Sequence, residues 1–122
     1  NEFGHLIRKL LPESTLLINL SEEGWFGNSL APHQRLQIAR MRAMESGRAL
    51  IRASNNGLSA LISAKGELLT VAPQFQPDTV RGSVVPTSGV TPFVRFGNAP
   101  ILLLSVLVIV GSFLKRCRYR TV

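Results

Sequence analysis

The sequence contains few of the residues that usually mark a catalytic or metal site. It has one cysteine, Cys117, so no disulfide can form within the chain. Its two histidines, His5 and His33, have no second histidine, cysteine or carboxylate at metal-ligand spacing, and we expect no metal site. The chain has no glycine-rich phosphate loop and no G-x-S-x-G nucleophile motif. The residues by themselves therefore indicate no cofactor and no particular reaction.

Acidic residues are also scarce, since the chain has 7 of them against 14 basic residues and a net charge of +7. Four of the basic residues follow one apolar run, and without them the charge would be +3: Lys115, Arg116, Arg118 and Arg120. Basic residues in that position are typical of the cytoplasmic flank of a membrane helix. We therefore expect contact with membrane lipid and no nucleic-acid partner.

The apolar run at residues 99–114 has no charged side chain. As a helix it would be about 24 Å long, somewhat less than the roughly 30 Å of a bilayer core. Phe96, Gly97 and Lys115 would extend it. We predict a transmembrane helix at 99–114 rather than a buried core segment, with a cytoplasmic tail at 115–122 and residues 1–98 in the periplasm.

Residues 1–98 predict an α+β domain in which short strands alternate with helices and turns. The Asn55-Asn56-Gly57 sequence is a strong turn signal because Asn and Gly tolerate a positive φ. The predicted elements are an amphipathic helix at 2–11 ended by Pro12, a strand at 14–20 buried on both faces, a loop at 22–31, a helix at 32–46 with Gly47 as its cap, strands at 49–53, 58–63, 67–71 and 80–85, and an extended linker at 86–98.

The helix at 32–46 is interpreted as a packing element. Leu36, Ala39 and Ala43 share one face, which Ile38 and Met41 would widen.

Charged residues around this helix have two readings each. Arg40 and Arg42 could each bind a lipid phosphate. For Arg42 we expect an ion pair with Glu45 instead. The adjacent Glu22 and Glu23 are expected to form a solvated loop pair.

An ordered set of motifs runs through nearly the whole chain and resembles the apolipoprotein N-acyltransferase family, a branch of the nitrilase superfamily. The matching pieces are Trp25-Phe26-Gly27, Pro32-His33-Gln34, residues 39–43, Glu45, Gly47-Arg48, Asn55-Asn56-Gly57, residues 86–93 and Gly97-Asn98. The resemblance implies the C-terminal part of a nitrilase-like α-β-β-α sandwich followed by one transmembrane helix of a bacterial inner-membrane enzyme.

The resemblance also implies a reaction. A phospholipid acyl donor transfers its chain to an active-site Cys as a thioester, and the chain then passes to the terminal amine of a diacylglyceryl-cysteine apolipoprotein acceptor. The family's catalytic Glu and Lys lie well upstream, and its Cys would lie just before Asn1. Cys117 does not match that Cys. We therefore expect an enzyme as the parent protein and an inactive 122-residue chain that starts at an internal position.

By the same resemblance, the substrate-binding candidates are Trp25, Phe26, Gly27, Asn55 and Asn56. The first three would lie near the catalytic Cys, where Trp25 either contacts an acyl chain or fills the core. The two asparagines form either a substrate-side turn or a structural one.

Two other functions remain open at this stage. One is a membrane-anchored nitrilase-type amide hydrolase, against which residues 86–98 and the terminal helix argue because soluble members lack both. The other is a non-catalytic gene remnant that serves as a membrane-tethered binding module.

Overall fold

The computed structural model describes residue 11 and residues 13–119. The predicted helix at 2–11, apart from Leu11, lies outside the described residues. So do Pro12, the side chain of Cys117 and the end of the basic tail at 120–122.

The described part of the chain is a mixed α/β structure with a four-stranded sheet. A short 3-10 helix, Gly24–Phe26, lies in the loop between the first strand and the long helix that follows it. The elements in chain order are β1 Leu16–Glu22, α1 Ala31–Ser46, β2 Ala49–Asn55, β3 Ala60–Ile62, β4 Leu68–Val71, α2 Pro92–Phe96 and α3 Ala99–Tyr119.

The sheet has the order β1-β2-β3-β4. Strands β1 and β2 are parallel, with Leu16 beside Ala49 at one end and Glu22 beside Asn55 at the other. Helix α1 makes the crossover that parallel neighbours require, and the two remaining pairings are antiparallel. The C-terminal ends of β1 and β2 therefore lie side by side, and we call this end of the sheet its carboxyl edge.

Helix α1 covers one face of this sheet. Its predicted apolar face is confirmed at Leu36, Ala39 and Ala43, which are buried against a cluster contributed by the sheet and the turn before β3: Leu50, Leu58, Ala60 and Ile62. The predicted widening of this face is wrong, because Ile38 and Met41 are 38% and 51% exposed. The helix ends as predicted at Gly47, whose φ of 63° suits a residue without a side chain.

Strand β1 is confirmed, but its predicted burial on both faces is wrong. Ile18 and Leu20 are 67% and 77% exposed. In the described structure β1 is an edge strand, and α1 covers the opposite face, where Leu17 packs against the core. Three consecutive apolar residues predict a strand buried on both faces, but only the face of β1 that carries Leu17 is covered.

The region after β4 differs from the prediction in two places. Residues 80–85 form no strand, because this segment passes over the sheet face, with Gly82 close to the Leu61 side chain. The predicted linker at 86–98 contains α2. Thr91 caps this helix by accepting a hydrogen bond from the Val94 amide, and Pro92 occupies its first turn.

Helix α3 begins at the predicted residue, Ala99, and continues to Tyr119. Among the described residues, no helix combines the length and the apolarity needed to cross a membrane. The transmembrane helix predicted at 99–114 stays a prediction.

Candidate functional site

The candidate site lies at the carboxyl edge of the parallel strands, where open α/β sheets commonly bind ligands. Two connections meet there: the Trp25 loop, residues 23–30 after β1, and the Asn55 turn, residues 55–58 after β2. The Glu23 amide donates to the Asn55 carbonyl at 3.1 Å. The structure thus brings together the two predicted groups of site residues, 25–27 and 55–56.

Trp25 projects from the 3-10 helix of the loop and is 87% exposed. Within the described residues, Trp25 therefore does not fill the core. Phe26 is partly exposed, and the Arg35 guanidinium lies over its ring at 4.9 Å from the centroid. Gly27 ends the 3-10 helix with a φ of 52°, a conformation that favours glycine. The loop therefore exposes the Trp25 indole to solvent, whereas the neighbouring Phe26 ring packs against Arg35 of α1.

Glu22 is an exposed carboxylate held from two sides. The Asn55 side-chain amide donates to its Oε2 at 2.6 Å, and the Gly24 backbone amide donates to its Oε1 at 2.7 Å. These bonds, with that from Asn55 the larger cause, lower the pKa of Glu22 below its ordinary value. The carboxyl edge therefore carries a fixed negative charge at neutral pH.

Glu23 contradicts the predicted solvated pair, because it is 0% exposed. Its Oε1 accepts from Nη2 of Arg52, a strand residue that is buried as well. This buried pair was not predicted, although two signals for it are present in the sequence. Successive residues of a strand point to opposite faces, so one of two adjacent acids turns inward, and a buried arginine requires an acceptor.

The Asn55 turn is built from local hydrogen bonds. Asn56 adopts the predicted positive φ, at 57°. The Ser54 amide donates to Ser59 Oγ at 3.0 Å, and Ser21 Oγ of β1 donates to Ser54 Oγ at 3.2 Å. The turn is thus tied to β1 as well as to its own strand.

A third segment at this edge was not predicted. Gln74 follows β4 and donates from Nε2 to the carbonyls of Asn56 and Gly27, at 3.3 and 3.4 Å. Its neighbour Phe75 has a φ of 62°, which is unusual for a bulky residue. The segment borders a cleft of about 340 Å³ whose lining includes Ser54, Asn55, Asn56, Ser59, Phe75 and Asp78.

The remaining predicted residues lie in other contacts. Arg42 forms the predicted ion pair with Glu45, at 2.6 Å. Arg40 donates to the Gly66 carbonyl at 2.7 Å, which links α1 to the turn between β3 and β4. His33 is exposed on α1, and within residues 11 and 13–119 no three metal-ligating side chains come together. The carboxylate, amides and hydroxyls of the edge are groups that are able to hydrogen-bond a polar ligand.

Residues 2–88 match the family model described as carbon-nitrogen hydrolase. Similar curated proteins are named apolipoprotein N-acyltransferase. That of Wigglesworthia glossinidia brevipalpis is 46% identical over 91% of this chain and 22% of its own length. That of Haemophilus influenzae is 45% identical over 86% of this chain and 20% of its own length. That of Vibrio cholerae is 39% identical over 97% of this chain and 24% of its own length. The chain spans about a fifth to a quarter of these relatives.

Proposed function

We propose, because this chain belongs to the carbon-nitrogen hydrolase family, that it forms a substrate-binding part of an apolipoprotein N-acyltransferase. The resemblance to that branch is confirmed by relatives of that name, which are 39–46% identical over most of the chain. The observation that carries the proposal is the exposure of Trp25 in the loop at the carboxyl edge, three residues after the charged Glu22.

In the proposed reaction, a cysteine thiolate attacks the ester carbonyl of a phospholipid. A thioester forms and lysophospholipid leaves. The terminal amine of a diacylglyceryl-cysteine apolipoprotein then attacks the thioester, loses a proton, and releases the thiol as the amide forms. The proposed setting is the periplasmic face of the bacterial inner membrane, where donor and acceptor meet.

The chain's own residues bind and orient in this scheme. The Trp25 indole offers a large apolar surface to the acyl chain. Glu22, Asn55 and Asn56 form the polar side of the edge and face the acceptor. The catalytic Cys, Glu and Lys that the resemblance implies match no residue of this chain, so we propose that the 122 residues alone transfer no acyl group.

The test is substitution of Trp25 in the complete acyltransferase. We expect Trp25→Ala to lower kcat/KM for acyl transfer by about tenfold or more, equivalent to roughly 1.4 kcal/mol of transition-state binding. Trp25→Phe keeps an apolar ring and should retain most activity. Phe96→Ala removes another exposed aromatic ring, from α2 outside the site, and serves as the control, with no expected change.

Both half-reactions should be followed, by the mass of the acyl-enzyme and by the modified acceptor peptide. Wild-type kinetics in Trp25→Ala would remove the proposed role of this loop. Hydrolysis of a simple carboxamide substrate, with no acyl transfer to the amine, would instead favour the amide-hydrolase alternative. An acyl-enzyme formed by the 122-residue chain alone would contradict its proposed inactivity.

A further inference from the structure

The guanidinium of Arg52 touches three separate segments of the carboxyl edge. It donates from Nη1 to Asn19 Oδ1 of β1 at 2.8 Å and from Nε to the Leu58 carbonyl of the Asn55 turn at 3.1 Å. Its Nη2 donates to Glu23 Oε1 at the start of the Trp25 loop. One buried, planar group of fixed geometry therefore joins both predicted substrate segments to the parallel strands.

Glu23 is the residue through which this contact reaches Trp25. Its carbonyl accepts the Phe26 amide at 3.1 Å, so Glu23 begins the turn that carries the indole. Its second carboxylate oxygen, Oε2, is buried, has no hydrogen-bond partner among the described residues, and packs against Gly57. The loop is thus fastened at its first residue by one side-chain ion pair and by the bond from the Glu23 amide to the Asn55 carbonyl.

We propose that Arg52 is a positioning residue that sets the Trp25 loop and the Asn55 turn relative to each other. Its effect on acyl transfer rests on the proposed function, whereas its effect on the loop does not. Lysine cannot replace it, because a single ammonium group cannot reach three acceptors in different directions as the rigid fork does. The requirement is therefore for the shape of the group as well as for its charge.

Stability and positioning can be separated experimentally at this pair. Replacing a buried ion pair by apolar residues often leaves stability unchanged, whereas removing one partner leaves an uncompensated charge. The double variant Glu23→Leu/Arg52→Met should therefore fold. It nevertheless lacks all three hydrogen bonds that the Arg52 guanidinium donates. A purely structural role predicts wild-type loop geometry in this variant, and a positioning role predicts an altered loop.

The loop can be observed directly, because Trp25 is the chain's single tryptophan. Time-resolved fluorescence anisotropy of the 122-residue chain reports its nanosecond motion. In Arg52→Lys, Glu23→Gln and the double variant, we expect the Trp25 indole to move more freely. A larger fraction of its anisotropy should then decay on the fast, nanosecond timescale. The control Glu45→Gln breaks the other described ion pair, Arg42–Glu45, and should keep the wild-type decay.

The same substitutions should lower acyl transfer in the complete enzyme by about 100-fold, the usual scale for a misplaced binding group. An unchanged decay in Arg52→Lys and in the double variant would overturn the proposal, even where Glu23→Gln fails to fold. The variants could alter the anisotropy decay while the complete, unsubstituted protein transfers no acyl group. That combination would uphold the positioning role and refute the proposed function. The two failures are therefore distinguishable.

Discussion

The two ends of β2 are each organised by a buried arginine, and the two arginines bind different kinds of partner. Arg52, toward the carboxyl edge, binds a carboxylate, an amide oxygen and one carbonyl. The guanidinium of Arg48, just before the strand, donates only to backbone carbonyls among the contacts described: those of Leu11, Ser14, Gly47 and Gly89. Of the two ion pairs in the described chain, neither includes Arg48.

Around Arg48, residues 86–91 form a strap that closes the amino end of the sheet. Thr87 Oγ1 donates to the Gly47 carbonyl at 2.5 Å, and the Thr87 amide donates to the Thr15 carbonyl at 3.1 Å. Thr91 Oγ1 donates to the Glu45 carbonyl. The strap thereby connects the end of α1 to the start of β1.

This difference separates an end held by backbone contacts from the end that carries the candidate site. Backbone carbonyls are present whatever side chain a residue carries, so the amino end depends little on the identity of its neighbours. The carboxyl edge depends on one carboxylate in one position, because loss of Glu23 would leave Arg52 buried and uncompensated. The most sensitive contacts therefore lie beside the candidate site.

The largest effect on this comparison should come from Gly57→Ala. An added Cβ would overlap Glu23 Oε2 and Ser54 Oγ, so the carboxylate must leave its place opposite Arg52. Breaking a buried pair in this way costs about 3–5 kcal/mol. Thermal or denaturant unfolding monitored by circular dichroism measures the change.

The matched substitution at the other end is Gly47→Ala. The added Cβ would lie 2.8 Å from Thr91 Cγ2. The alanine would also have to keep the left-handed backbone conformation of Gly47, at a cost of about 1–2 kcal/mol. We expect Trp25 anisotropy to change in Gly57→Ala and to stay at the wild-type value in Gly47→Ala. Equal effects on the loop would contradict the separation of the two ends.

An intermediate effect is expected from Thr91→Val in the strap. The substitution removes the hydroxyl that caps α2 at Val94 and that binds the Glu45 carbonyl. Loss of a helix cap costs about 1 kcal/mol, and the second hydrogen bond adds about as much. Unfolding should measure a loss of roughly 2 kcal/mol. Altered acyl transfer at a temperature where the variant is fully folded would show that the strap also shapes the site.

The unit β1-α1-β2 was predictable from sequence because its signals are local. Apolar spacing gave the face of α1 at Leu36, Ala39 and Ala43, and Gly47 marked its end. The positive φ of Asn56 followed from the turn chemistry of its neighbours. The predicted site residues also lie together, since parallel strands deliver both connections to one edge.

The parts that were not predictable depend on contacts between distant residues. Gln74 reaches carbonyls 18 and 47 positions away, and no periodic pattern encodes such a bridge. Glu23 and Arg52 lie 29 positions apart, and their pairing required the register of β1 against β2. The strand predicted at 80–85 shows the converse, because its local pattern suits a strand but its path lies over the sheet face.

The smallest expected effect concerns the charge of Glu22, the exposed neighbour of the buried pair. Because the folded state lowers the pKa of Glu22, ionised Glu22 contributes its stabilisation above the ordinary carboxyl pKa of about 4.3. That contribution is lost as the pH falls through the lower pKa of the folded protein. Asn55→Ala removes the main cause, so the pKa of Glu22 should rise toward its ordinary value.

Carbon-detected NMR titration of the Glu22 carboxyl measures this shift. The bond from the Gly24 amide remains in Asn55→Ala, so the pKa should return only part of the way. Asn56→Gly is the control, because it keeps the positive φ of the turn and leaves the Asn55 amide in place. An unchanged Glu22 pKa in Asn55→Ala would mean that the charge at the carboxyl edge is set by the backbone alone, as the contacts at the amino end are.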